Sequence, residues 1–113
     1  MFEFNQEEAI YQLNIHNVIY ECDHPTSTLL NKAIDISEVF DSKFNEILDC
    51  IYQRYLKEKG SITKDELLSK LGPATINLDK NNISYLEHDF FNLNAIAVRF
   101  SGILESFDDV IIV

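Results

Sequence analysis

The chain has 113 residues, 46% of them hydrophobic, with eight Phe and five Tyr against three Gly, and a formal net charge of −10. A chain of this length buries about 65% of its unfolded surface in one domain, which removes the need for a disulfide or metal staple, and its apolar content excludes wholesale disorder. The negative charge repels phosphate backbones and anionic lipid, so direct binding to nucleic acid or a membrane is not expected.

At the start, Phe2 and Phe4 flank Glu3 as in a short strand. The opening MFEFNQEEAI has neither a basic stretch nor a long apolar run, so no signal peptide is expected. Ile10 to Cys22 is rich in β-branched and aromatic residues; Val18 and Tyr20 either continue the strand of Leu13 and Ile15 or begin another. Asp23-His24-Pro25-Thr26-Ser27 is a loop signal, and Leu29 to Ile34 reads as one more short strand.

A long helix follows. Asp35 and Glu38 have the spacing of a capping box, and Ile34 and Val39 that of a hydrophobic staple. Phe40, Phe44, Ile47, Leu48, Ile51, Tyr55 and Leu56 then form one apolar face, and Gly60 ends the run after Lys57 and Lys59. A short second helix has Thr63 as N-cap, Glu66 completing the box, Leu67, Leu68 and Leu71 facing inward, and Gly72-Pro73 as its stop.

The remainder reads as antiparallel sheet. Thr75 to Leu78 and Ile83 to Glu87 flank the turn Asp79-Lys80-Asn81-Asn82, and Asp89 to Asn94 is a loop carrying Phe90 and Phe91. Ala95 to Phe100 alternates; Ser101-Gly102 has the form of a two-residue hairpin turn, after which Ile103 to Phe107 pairs back. Asp108-Asp109 reads as a break before Val110 to Val113, the longest apolar run and far short of the roughly 20 residues of a membrane span. The expectation is a single α+β domain over residues 1–113, located in the cytoplasm, with one long and one short helix packed on a mostly antiparallel sheet.

Residues that bear chemistry are few. No P-loop, GxGxxG, HExxH or GxSxG is present. Cys22 and Cys50 form no CxxC; reduced thiols are the favoured reading over a bridge or a metal or redox role. Cys22 and His24 supply two zinc ligands where a structural site needs four, and Cys50 beside Ile51 reads as core filler more than nucleophile. His88 between Glu87 and Asp89 mimics an acid–base group, but no constellation completes it. No enzyme, cofactor or metal is therefore expected.

Acid is unevenly spread. Residues 1–49 carry ten acids against Lys32 and Lys43, residues 50–80 are nearly balanced, and residues 81–113 carry five acids against Arg99. Such a charge attracts a basic partner, although surplus acid also serves solubility alone. Phe90 with Phe91, rimmed by Glu87 and Asp89, reads either as part of the core or as an exposed aromatic anchor. Glu105, Asp108 and Asp109 around Phe107 read either as a solvated turn or as a rim that steers a basic partner. The contact candidates are Asp23, Glu87, Asp89, Phe90, Glu105, Asp108 and Asp109.

The stretch from Leu71-Gly72-Pro73 to Asn94-Ala95-Ile96-Ala97-Val98-Arg99-Phe100-Ser101-Gly102, two helices leading into short strands and a glycine hairpin, resembles small bacterial proteins that include immunity proteins of contact-dependent growth inhibition and other polymorphic toxin systems. The resemblance covers about half the chain and rests on alternation, so it carries over no site residue. It implies a cytoplasmic protein that binds one cognate toxin domain, a basic nuclease by the charge argument, and blocks it. A homodimeric or regulatory interaction module using the edge of Val110 to Val113 is the alternative.

Overall fold

The computed structural model describes residues 1–90 and 93–113. Seven strands form one sheet in chain order: β1 (Glu3–Asn5), β2 (Ile10–Ile15), β3 (Val18–Cys22), β4 (Thr75–Asn77), β5 (Asn82–Tyr85), β6 (Ile96–Ser101) and β7 (Ser106–Ile112). Between β3 and β4 run α1 (Ser27–Glu58) and α2 (Lys64–Lys70), and because this connection crosses over the sheet, β3 and β4 are its one parallel pair. The architecture is the expected α+β arrangement of helices on a mostly antiparallel sheet.

β2 and β3 form a tight hairpin, so Val18 and Tyr20 belong to a separate strand. Its two turn residues, His16 and Asn17, have φ of 52° and 66°, as a type I′ turn requires, and Asn17 N–H donates to Asn14 Oδ1.

The long helix begins well before Asp35. Thr26, set in extended backbone after Pro25, accepts the Leu29 N–H through Oγ1 at 3.1 Å, so residues 29–34 are helix and not a strand. Ala33 and Ile36 extend the buried stripe of Phe40, Ile47, Leu48 and Ile51 backwards, while Asp35 and Glu38 lie on the exposed side without capping anything. Tyr55 C=O accepts from the N–H groups of both Lys59 and Gly60, and Gly60 (φ 112°) takes the left-handed conformation that ends the helix. Thr63 Oγ1 accepts from Glu66 N–H as expected; Leu67 is fully buried, but Leu68, one position round the helix, is exposed.

β6 and β7 are joined by the four residues 102–105 and not by a two-residue turn. Gly102 takes φ 63°, and Leu104 (φ 55°) turns its side chain wholly into the core. Asp108-Asp109 does not interrupt the strand. Arg99 faces Asp109 and Phe100 faces Phe107, so Asp108 is the extra residue of a β-bulge that absorbs both acids.

Alternation along the strands divides the sheet into two faces. Val18, Tyr20 and Cys22, Ile76, Ile83 and Tyr85, and Ile96, Val98 and Phe100 point towards the helices and, with the α1 stripe and Leu67, form one buried cluster. Lys32 fastens the helical layer to the β4–β5 turn by donating to Leu78 C=O and Asn81 Oδ1. No helix among the described residues is long and apolar enough to cross a membrane.

Candidate partner-binding surface

The residues singled out from sequence fall at opposite ends of the sheet. Glu87 and Asp89 are exposed and follow β5 at the end where Tyr85 pairs with Ile96. Glu105 and Asp108 are exposed at the other end, where Ser101 pairs with Ser106. Asp23 lies at that same end, its N–H donating to Asp79 Oδ2 at 2.8 Å. Asp109 is committed internally: Oδ1 accepts from Arg54 at 3.1 Å and from the Val110 N–H at 2.9 Å.

Phe90 is no exposed anchor. It is only 5% exposed; its ring centroid lies 5.5 Å from that of Tyr55 on α1, and Lys70 Nζ of α2 sits 5.4 Å above its ring. The loop thus folds its aromatic under the helices and leaves Glu87 and Asp89 outside. Phe91, read together with it from sequence, lies outside the described residues.

Of the groups suited to acid–base or nucleophilic work, His88 is hydrogen-bonded and the two thiols are wholly or partly buried. His88 uses both ring nitrogens: Nδ1 accepts the Phe90 N–H at 3.2 Å and Nε2 lies 3.3 Å from Asn94 C=O, the pattern of an Nε2–H tautomer. Cys22 and Cys50 are free thiols. Burial raises both pKa values, with further increments from Asp79 and Asp23 for Cys22 and from Asp49 and Glu46 for Cys50, which favours the unreactive thiol form. Among the described residues no group of three or more His, Cys, Asp or Glu is placed to hold a metal ion.

The sheet face turned away from the helices is bare. By strand register Glu3, Gln12 and Glu21 stand side by side on it across β1, β2 and β3, with Asn5 two residues along β1 on the same face, and Asn5, Gln12 and Glu21 are linked by hydrogen bonds that run in one direction. Glu8 N–H donates to Asn5 Oδ1 (3.1 Å), Asn5 Nδ2 to Gln12 Oε1 (3.1 Å) and Gln12 Nε2 to Glu21 Oε2 (2.9 Å). The chain ends on a carboxylate whose orientation it fixes. Two hollows open here, of about 420 and 210 Å³, with Gln12 and Ile19 lining both. Glu3, Asn5 and Asn14 line the first; Glu8, Glu21, Leu86 and Glu87 line the second. Four carboxylates and no basic side chain therefore face the two hollows, and Leu86, 59% exposed, stands beside them. Glu87 is held by a close approach: a Cβ on Gly72 would lie 1.6 Å from its carbonyl oxygen.

Of the candidates proposed from sequence, only Glu87 belongs to this surface. Glu3, Glu8, Gln12, Glu21 and Leu86 were not singled out. Their local signal, the polar alternation of Gln12 and Asn14 and an exposed leucine before Glu87, acquires meaning only once β2, β3 and β4 are known to be neighbours.

The chain matches no family model, no curated protein and no solved structure.

Proposed function

We propose that this protein is a stoichiometric, non-enzymatic inhibitor of the bacterial immunity type, which binds a basic toxin domain in the cytoplasm and blocks it. A nuclease is the kind of toxin its charge suits, because an enzyme that grips phosphates presents a basic surface. The observation that carries this reading is how little of the acid is neutralised within the protein. Among the described residues ion pairs engage only Glu46, Asp49, Glu58 and Asp109, all with bases on α1 or the start of α2, and every acid from Glu3 to Asp41 stands outside them. Uncompensated carboxylates cost self-repulsion in the folded state, steer a basic partner during encounter and stay available to pair with it.

The homodimer reading has less support. β7 is an edge strand, as that reading needs, but its edge carries a bulge, two acids and a Val110 N–H already taken by Asp109, all features that blunt strand-to-strand pairing.

The test is co-expression with a toxin domain encoded beside this gene. A one-to-one complex and restored growth of the toxin-bearing cells are expected. Toxicity that persists with no complex contradicts the proposal.

A further inference from the structure

The reading as an inhibitor of a basic protein leaves open which surface does the binding. We infer that the bare face of the sheet, over β1, β2, β3 and the Leu86–Glu87 segment, is the docking surface, and that its occupant is an arginine-bearing segment of the basic partner. This rests on the proposed function and deepens it.

Three independent features point to this face. The helices occupy the opposite side of the sheet and fill it with the core, so that side is closed to a partner. Glu3, Glu8, Glu21 and Glu87 face the two adjoining hollows with no base among the lining residues, so the potential there is negative. Ile19 in both hollows, and the exposed Leu86 in the second, add apolar wall beside the charged rim, the kind of apolar anchor that an interface centre needs.

Arginine suits this chemistry better than lysine. A guanidinium is weakly hydrated, lies flat on apolar side chains and offers forked donors to a carboxylate, whereas an ammonium keeps its water. Glu21 takes a Gln12 donor on Oε2 alone, which leaves Oε1 for a guest and spares the rotamer freedom that binding would otherwise consume. A second copy of this chain is a poor occupant, because two such faces repel each other.

The experiment titrates the ¹⁵N-labelled full chain with hexa-arginine at low salt and compares two double variants that change net charge equally. Glu21→Lys/Glu87→Lys alters the bare face; Asp35→Lys/Glu38→Lys alters the exposed side of α1. Well-dispersed amide spectra confirm that each folds, and Glu3→Lys/Glu87→Lys, which leaves Glu21 and its hydrogen bond in place, repeats the test should the first variant fail to fold.

In the parent protein the amides of Gln12, Ile19, Glu21 and Leu86 are expected to shift on binding. The sheet variant should weaken binding by about tenfold and the helix variant by less than about twofold. Equal weakening by both, shifts centred on α1, or tighter binding of hexa-lysine than of hexa-arginine overturns the inference while leaving the inhibitor reading intact. Absence of any binding also overturns it. The inhibitor reading itself stands or falls on the neutralisation assay.

Discussion

The two faces of one sheet differ in what covers them. On the helix side, Tyr20, Ile76, Ile83, Ile96 and Val98 meet Ala33, Ile36, Ile47 and Ile51 with no exposure or almost none. On the other side, one residue along each strand, Asn14, Glu21, Asn77 and Ser84 meet solvent. Burial of apolar area stabilises the first arrangement. The second buries little apolar area and leaves Glu3, Glu8, Glu21 and Glu87 outside the ion pairs among the described residues, while Asn5, Gln12, Asn14 and Asn77 make internal hydrogen bonds. A polar sheet face costs nothing when it stays hydrated, so folding places few limits on which polar residues it carries. Stability and the proposed recognition are thus separated by the two-residue period of a strand.

Substitutions sharpen this contrast. Ile36→Ala, in the buried stripe of α1, should cost about 2 to 4 kcal/mol in urea unfolding, whereas Ile19→Ala on the bare face should cost under about 1 kcal/mol. Equal costs would show that the bare face is structural after all.

Gly72→Ala comes next. Its new methyl meets the Glu87 carbonyl, a backbone atom that cannot swing aside, so a loss of about 1 to 3 kcal/mol is expected. Amide exchange should quicken over Leu86 to Asp89 while the β6–β7 hairpin stays protected.

Two buried hydroxyls test the helix side in the opposite sense. Among the described residues Tyr20 Oη and Tyr85 Oη have no hydrogen-bond partner, so replacing either residue by Phe should change stability by less than about 1 kcal/mol, with a gain the favoured sign. Burial, and then the charge of Asp41, push the Tyr20 pKa up to about 12, from about 10 in the unfolded chain. Between these values the unfolded state gives up its proton first, so stability is whole below about pH 10 and falls as pH rises towards 12. Burial raises the Tyr85 pKa as well, which adds a loss of the same sign. Urea midpoints measured from pH 9 to 12 should therefore decline, and less steeply in Tyr20→Phe.

Much of the helical layer could be read from sequence because its signals are local. Thr63 and Glu66 cap a helix three residues apart, Gly60 ends one, and the stripe from Phe40 to Ile51 repeats every turn. Errors arose where one pattern serves two structures. Leu29 to Ile34 is an aliphatic run too short to separate strand from helix by period, and the deciding cap, Thr26, stood inside what read as a loop. Asp35 and Glu38 match a capping box, yet two acids three apart also suit any exposed helix face. Phe90 was ambiguous among acids because the groups that receive it, Tyr55 and Lys70, come from distant elements. The bare face was illegible for the same reason: Glu21 and Glu87 share a hollow only through the parallel pairing of β3 with β4, which spans the whole helical crossover.

The smallest effect concerns the edge of β7. Asp109→Ala removes a half-exposed ion pair to Arg54 and should cost at most about 1 kcal/mol. It also frees the Val110 N–H, so light scattering should show more self-association in the variant than in the parent protein.

The proposed division of labour between the faces is tested most directly by amide hydrogen exchange on a complex with the basic toxin domain proposed as its partner. Slowed exchange confined to β2, β3 and the segment around Leu86 and Glu87 is the predicted result. Slowing along the exposed side of α1, with those strands unchanged, would contradict it.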